Sequence, residues 1–177
     1  MRLSKNLSLQ EVTKSNTALR QGINNNPTAD HQINLITLAN RVFQPIREHF
    51  KAPIFISSGY RSHALNKDLG GSIPSQHSKG QALDLDNDAV AGNLYKAPSK
   101  EGSDPIYYPS NQEIFDYIRK NCTFDQLIFE FPNEKGEPSW VHVSYIDPEK
   151  EGRPNRFEIL VAKKNSKRET YYEHFKK

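Results

Sequence analysis

Cysteine is almost absent from the chain, which contains only Cys122 among its 177 residues. A single cysteine cannot form an intrachain disulfide, and this excludes a small secreted scaffold held together by disulfide bonds. Cys122 follows a helical pattern and precedes a strand-like segment. Because free cysteines are often buried, we interpret it as a small structural hydrophobe and not as a nucleophile.

Long apolar runs are absent as well. Residues 1–12 lack the continuous apolar stretch of a signal peptide, and nowhere do 18 apolar residues run together. We therefore expect a protein without a signal peptide that is cytoplasmic as synthesised and does not insert into membranes. If it acts outside the cell, a separate system must release it there.

The chain has only a slight excess of positive charge, with a formal net charge of +3 at pH 7. No stripe of Lys and Arg interleaves with aromatic residues, so the pattern excludes a nucleic-acid partner. A mild basic bias is typical of proteins that meet an anionic surface such as a bacterial wall. Apolar residues make up 35% of the chain and are bunched into short runs, which is enough for one core. We expect a monomer.

The hydrophobic pattern predicts helices first and strands afterwards. Predicted helices are a short one from Leu9, a long one over 29–50 and a third over 111–121. Predicted strands are 54–58, 81–86, 124–131, 140–145 and 156–162. This order predicts an α+β fold with a mostly antiparallel sheet and N-terminal helices. We expect a single domain over 1–177, with its core over about 5–162, a polar surface excursion over 87–111 and a charged C-terminal tail over 163–177.

Two of the predicted strands each direct one polar side chain away from the core. In strand 81–86, Asp84 lies on the face opposite the leucines that flank it, and in strand 140–145 His142 lies opposite its two neighbouring valines. If these strands are neighbours, Asp84 and His142 meet at one point. His77 lies in the loop before the first strand and can fold over the same point.

Two imidazoles and one carboxylate are a set of ligands that catalytic zinc uses, with the fourth position left for water. The spacing alone favours the plainer interpretation, a capping or surface histidine and a solvated aspartate. The residues surrounding the three side chains decide between these interpretations.

Four separated motifs occur along the chain in a fixed order. They are Ser57-Ser58-Gly59-Tyr60-Arg61-Ser62, Ser75-Gln76-His77-Ser78-Lys79-Gly80-Gln81-Ala82-Leu83-Asp84, Phe124-Asp125-Gln126-Leu127-Ile128-Phe129-Glu130 and Trp140-Val141-His142-Val143-Ser144-Tyr145. Together they resemble the M15 family of zinc peptidases, which includes D-Ala-D-Ala carboxypeptidases and phage endolysins. The resemblance extends over about residues 5–146 and implies a fold like that of hedgehog domains and DD-peptidases.

The resemblance implies a role for five residues. His77, Asp84 and His142 would be the ligands of one Zn²⁺, and Arg61 and Ser75 would occupy substrate-binding positions. A guanidinium can hold a peptide carboxylate through two parallel hydrogen bonds, which suits Arg61. The alternatives are a surface ion pair for Arg61 and a simple turn or cap for Ser75.

The chain departs from the family pattern at the general base. Many members have a glutamate three residues before the last histidine ligand, and that position is Ser139 here. Glu130 is our preferred base, because it ends a strand and a base needs a fixed position near the water that it deprotonates. Glu137 is the alternative, in a loop of Asn, Lys, Gly and Pro.

The function that the resemblance implies is hydrolysis of the stem peptides of peptidoglycan. The reaction would be that of a D-Ala-D-Ala carboxypeptidase or of an L-Ala–D-Glu-type endopeptidase, with Glu130 moving the proton. The absence of the usual glutamate leaves a second hypothesis open, a catalytically inactive, zinc-containing binding module of the same fold for a cell wall or a protein.

Overall fold

The computed structural model describes residues 1–88 and 108–176. Its strands are Arg2–Ser4 (β1), Leu7–Ser8 (β2), Ile56–Ser58 (β3), Ala82–Leu85 (β4), Gln126–Glu130 (β5), Trp140–Ser144 (β6), Glu158–Lys164 (β7) and Thr170–His174 (β8). Its α-helices are Leu9–Thr13 (α1), Asn16–Gln21 (α2), Ala29–Leu38 (α3), Gln44–Phe50 (α4), His63–Asp68 (α5), Asn111–Asn121 (α6) and Pro148–Glu151 (α7). A π-helical turn, Ala39–Phe43, and a 3-10 turn, Gln76–Lys79, complete the described elements.

Helix α1 begins where the sequence predicts it. The Ser8 hydroxyl accepts from the backbone N–H of Glu11, while the Glu11 carboxylate accepts from the N–H of Ser8. These reciprocal hydrogen bonds form a capping box, which satisfies two N–H groups that the first turn of a helix would otherwise leave unpaired.

The long helix predicted over 29–50 is confirmed as a continuous helical segment, with a local change of pitch at the π-turn. Pro45 has no N–H to donate to the preceding turn and its ring crowds that turn. The π-turn lies directly before it, and the N–H of Gln44 bonds to the carbonyl of Ala39, five residues back. A wider turn at this point accommodates the proline without ending the helix.

The strands β3 to β8 form one sheet in the order β3-β4-β6-β5-β7-β8. All neighbouring pairs are antiparallel except β5 and β7, which are parallel. The predicted α+β fold, a single domain with a mostly antiparallel sheet and N-terminal helices, is confirmed.

The two faces of this sheet have different characters. One face packs against the helices, and its buried apolar side chains are Leu83, Leu85, Leu127, Phe129, Val141 and Val143. Because side chains alternate along a strand, the residues between them point to the opposite face. Asp84, Ile128, Glu130 and His142 therefore share that face, which forms the floor of a groove.

The prediction of a charged tail over 163–177 is wrong. Strand β7 continues to Lys164, and β8 pairs with it to form the edge of the sheet. The ring of Phe175 then packs against Phe115 and Phe129, so the core extends beyond residue 162. All five residues of β8 are exposed, and the strand pairs with β7 through its backbone. A strand of this kind has no apolar alternation by which it could be recognised.

The excursion predicted over 87–111 lies outside the described residues from 89 to 107. Helix α6 begins at Asn111, as predicted, with Ser110 and Glu113 forming its capping box. Cys122 is half-buried against the core, and burial raises the pKa of its thiol to about 11, so the thiol is protonated at neutral pH. Within residues 1–88 and 108–176, no helix is long and apolar enough to span a membrane.

Candidate metal centre

Three buried side chains converge on the groove face of the sheet. Nε2 of His77 lies 3.2 Å from Nδ1 of His142 and 3.2 Å from Oδ1 of Asp84. Nδ1 of His142 lies 2.9 Å from the same Asp84 oxygen. Each residue is at most 8% exposed. One ligand atom from each side chain thus faces a common point.

The sheet register brings two of these residues together. Asp84 and His142 are directly opposite partners in the antiparallel pair β4 and β6. Directly opposite residues of an antiparallel pair project to the same face. The expectation that the two side chains meet if their strands are neighbours is confirmed.

His77 reaches the same point from the 3-10 turn that precedes β4. The turn ends at Gly80, whose φ of +70° is costly for other residues, and a Cβ there would lie 2.5 Å from the carbonyl oxygen of His31. The side-chain amide of Asn34 donates to the carbonyl of Lys79 at 2.8 Å. The turn is therefore fixed against helix α3, and His77 is fixed with it.

A backbone carbonyl orients the His77 ring. Nδ1 of His77 lies 2.7 Å from the carbonyl oxygen of Gly59, so this nitrogen is the donor and Nε2 presents its lone pair to the common point. Close approach of two backbones requires the glycine, since a Cβ at Gly59 would lie 2.4 Å from the carbonyl oxygen of Val12. A hydrogen bond of this kind from the second nitrogen is typical of metal-binding histidines.

The three side chains fit a divalent metal such as zinc. Ligand atoms about 2.0–2.1 Å from a tetrahedral zinc are separated by about 3.3 Å. The separations in this cluster are 2.9–3.2 Å, and within residues 1–88 and 108–176 it is the one group whose donor atoms could hold a metal ion. Two neutral imidazoles and a carboxylate also match the donor preference of zinc.

The carboxylate of Asp84 is ionised, as binding of a cation requires. Burial raises its pKa, but the two adjacent histidines, His77 more than His142, outweigh burial and hold the pKa well below the ordinary range. Asp84 is therefore ionised at neutral pH, as a metal ligand must be.

Glu130 lies next to the cluster on the same face. On β5, Ile128 is the partner of His142 and Glu130 is the partner of Trp140, which makes Glu130 a diagonal neighbour of His142. Glu130 is 7% exposed. Burial raises its pKa to about 7. The nearby groups have smaller effects: His142 and Arg61 lower the pKa, and Asp84 raises it. Its carboxyl can therefore take up and release a proton near neutral pH.

Glu137 lies away from the groove, in the turn between β5 and β6. Its backbone N–H donates to the Asn133 side chain at 3.0 Å, and its carbonyl accepts from the N–H of Asn133 at 2.8 Å. The groove lining includes Glu130 but not Glu137.

Arg61 and Ser75 both line the groove. Nη2 of Arg61 is 4.0 Å from Oδ2 of Asp84, and its Nε is buried without a hydrogen-bond partner in the described part of the chain. The N–H of Arg61 donates to the carbonyl of His77 at 3.2 Å. The Ser75 carbonyl accepts from the N–H of Ser78 at 3.1 Å, at the start of the turn that holds His77.

A second cluster, which the sequence analysis did not identify, holds the far end of the same turn. The fully buried carboxylate of Asp125 accepts from Arg153 at 2.6 Å, from Arg156 at 2.8 Å and from the side-chain amide of Gln76 at 3.0 Å. Burial raises the pKa of Asp125, but these guanidinium hydrogen bonds outweigh burial and lower the pKa strongly. We call Asp125, Arg153, Arg156 and Gln76 the Asp125 clamp.

Other residues of the groove were also not identified from the sequence. The groove has a volume of about 880 Å³, and its lining includes Arg153, Arg156, Thr170 and Tyr172 in addition to the residues already described. The first two lie beyond the four motifs, and the last two lie in the segment that was predicted to be a tail. Only their position in the folded chain reveals them.

Comparison with known proteins agrees with this geometry. A family model described as peptidase M15 matches residues 5–103, which is more than half of the chain. The matched segment contains Arg61, Ser75, His77 and Asp84, whereas Glu130 and His142 lie beyond it. No curated protein matches the chain. The chain therefore belongs to the peptidase M15 family.

Proposed function

We propose that this protein is a zinc-dependent peptidase that hydrolyses the stem peptides of peptidoglycan. The observation that carries the proposal is the convergence of His77, Asp84 and His142 on one point of a groove floor, in a chain of a peptidase family. Zinc held by these three residues would polarise the scissile carbonyl and lower the pKa of the attacking water toward neutrality.

Glu130 is the general base in this proposal. In the metal-free chain its pKa is about 7, and its place on β5 holds it, buried, as a diagonal neighbour of His142. Its carboxylate takes the proton of the attacking water and then delivers it to the nitrogen of the leaving amine. The hydroxyl remains on the carbonyl carbon, so the products are a carboxylate and an amine.

Arg61 and Ser75 hold the substrate in this proposal. The Arg61 guanidinium lies in the groove close to Asp84, and its buried Nε has no hydrogen-bond partner within residues 1–88 and 108–176. Its N–H groups can donate two parallel hydrogen bonds to a carboxylate of the peptide. The Ser75 side chain lies in the same groove and can hydrogen-bond a peptide carbonyl.

The substrate class rests on the family and on the shape of the groove. The groove continues from Arg61 and Ser75, which lie on either side of α5 in the chain, across the metal centre to β8, so it can accept a peptide on both sides of the scissile bond. Cleavage of the terminal D-Ala and cleavage of an internal L-Ala–D-Glu bond are both compatible with it.

Mass analysis of muropeptides after incubation with the zinc-loaded protein tests the proposal. A loss of one alanine residue indicates the carboxypeptidase, and release of the whole peptide after L-Ala indicates the endopeptidase. If no peptide bond is broken in any muropeptide while one zinc is bound per chain, the proposal is wrong and the protein is a binding module.

A further inference from the structure

The last strand brings a tyrosine into line with Glu130. Glu130 on β5 is the register partner of Ala162 on β7, and Ala162 is the partner of Tyr172 on β8. Register partners in adjacent strands project to the same face of a sheet. Tyr172 therefore stands on the groove face, two strands away from Glu130 and in the same row.

Ala162 stands between these two residues in the row. It is the smallest of the three and is fully buried, so surrounding side chains cover it. Tyr172 lines the groove together with Glu130 and Asp84 and is 54% exposed. Its ring thus forms part of the wall of the groove.

The hydroxyl of Tyr172 is available as a hydrogen-bond donor. Burial, followed by the charges of Glu130 and Asp84, raises its pKa, so the phenol remains protonated at neutral pH. Across the two described ranges of the chain, no hydrogen bond engages this hydroxyl.

The adjacent tyrosine provides an internal comparison. Tyr171 is the register partner of Lys163, and it points to the other face of the sheet because side chains alternate along β8. It is 39% exposed and is not part of the groove lining. Tyr171 and Tyr172 lie on the same strand and have the same side chain, but they project from opposite faces of the sheet.

We propose that Tyr172 is a substrate-contacting residue whose phenol donates a hydrogen bond to a backbone carbonyl oxygen of the bound peptide. The inference rests on the proposed function and extends it to a residue outside the family match and outside the four sequence motifs. A neutral acceptor is an appropriate partner, because the protonated phenol can donate one uncharged hydrogen bond to a carbonyl oxygen.

The contact lies two strands away from Glu130, so it holds the peptide at a distance from the scissile bond. A hydrogen bond of this kind acts equally on the bound substrate and on the transition state. Its loss raises KM and leaves kcat unchanged. A neutral hydrogen bond contributes enough that its removal weakens binding by about 3- to 10-fold.

The test compares Tyr172→Phe with Tyr171→Phe in the zinc-loaded protein. The probe is the pentapeptide L-Ala–γ-D-Glu–L-Lys–D-Ala–D-Ala. Trp140, the only tryptophan of the chain, lines the same groove, and its emission after rapid mixing reports binding of the peptide before turnover. Steady-state assays on the same variants give kcat and KM.

We expect Tyr172→Phe to raise both the Kd and the KM for the pentapeptide by about 3- to 10-fold, with kcat within about 2-fold of the native value. Tyr171→Phe should match the native protein in all three. If Tyr172→Phe also matches the native protein, or if it lowers kcat alone, the inference is wrong although the proposed function stands. If the native protein neither binds nor cleaves the pentapeptide, the proposed function fails and the inference fails with it.

Discussion

Asp84 and His142 face each other directly across β4 and β6, with Oδ1 of one 2.9 Å from Nδ1 of the other. Two of the three candidate metal ligands are therefore positioned by the hydrogen-bond register of a sheet. Sites built on strands hold their geometry more accurately than sites built on loops. The third ligand, His77, comes from a turn, and that turn is fixed by Gly59, Asn34 and the Asp125 clamp.

Removal of any one candidate ligand should abolish tight metal binding. We expect His77→Ala, Asp84→Asn and His142→Ala each to weaken zinc binding by more than about 100-fold, because loss of a ligand costs more than loss of its outer hydrogen-bond partner. Zinc content after dialysis, measured by atomic emission, reports the effect.

His63→Ala is the matched control for these variants. His63 is an exposed histidine at the start of α5 and lies outside the groove lining, so its variant should retain the native zinc content. Native zinc content in any of the three ligand variants would show that the metal is bound elsewhere.

Substitution of Glu130 and of Glu137 should have opposite effects on activity, because only Glu130 is our proposed general base. We expect Glu130→Gln to keep its zinc and to lower kcat by about 10²- to 10⁴-fold, the usual contribution of a positioned base. Glu137→Gln should retain native activity, because its side chain lies outside the groove. Rates on a muropeptide substrate decide the matter, and a native rate for Glu130→Gln would rule out Glu130 as the base.

The stability of the metal-free protein should depend on the ionisation of Glu130. Its pKa in the folded chain is about 7, against an ordinary value of 4.5. Because the folded state binds this proton more tightly, the stabilisation is fully present below pH 4.5 and is lost as the pH rises to about 7. At about 1.4 kcal/mol per pKa unit, the loss is roughly 3 kcal/mol.

Glu130→Gln carries no titrating group at this position and should escape this loss. We therefore expect the free energy of unfolding of the metal-free variant, relative to that of the metal-free native protein, to rise by roughly 3 kcal/mol between about pH 4.5 and about pH 8. Urea unfolding at several pH values measures this difference. A difference that does not change with pH would mean that Glu130 titrates normally in the folded chain.

Asp125→Asn should weaken the Asp125 clamp. The two guanidiniums are about half-exposed and can be hydrated after the substitution, so the cost is that of lost charged hydrogen bonds, roughly 2–3 kcal/mol of unfolding free energy. Zinc affinity should fall as well, because Gln76 beside His77 loses its anchor. Asp116→Asn, which breaks a surface pair with Arg119, should cost less than about 0.5 kcal/mol. Equal stabilities of the two variants would show that the Asp125 clamp does not stabilise the fold.

The candidate metal centre was largely predictable from the sequence. Asp84 and His142 alternate with buried apolar neighbours, and this alternation fixes the face on which each lies. The sequence could not reveal that β4 and β6 pair in the register that places them opposite each other, because a register is a property of the folded sheet. His77 was proposed from its position just before the strand, and the motif resemblance supported it, because its turn has no periodicity of its own.

The parts that were missed depend on contacts between distant residues or on exposed backbone pairing. Asp125 meets Arg153 and Arg156 about 30 positions later, and no local pattern connects them. Strand β8 exposes every side chain, so it offers no apolar signal, and Tyr172 was therefore assigned to a tail. Its place in the same row as Glu130, two strands away, follows only from the pairing of β5, β7 and β8.

In our proposal, one zinc ion held by His77, Asp84 and His142 makes this protein a peptidase. The decisive experiment adds zinc in steps to the chelator-treated protein and measures, by mass, the rate at which a muropeptide is cleaved. We expect no cleavage without metal, a rate that reaches its maximum at one zinc per chain, and no recovery in His142→Ala. Cleavage by the metal-free protein, or full zinc binding without cleavage of any muropeptide, would contradict it.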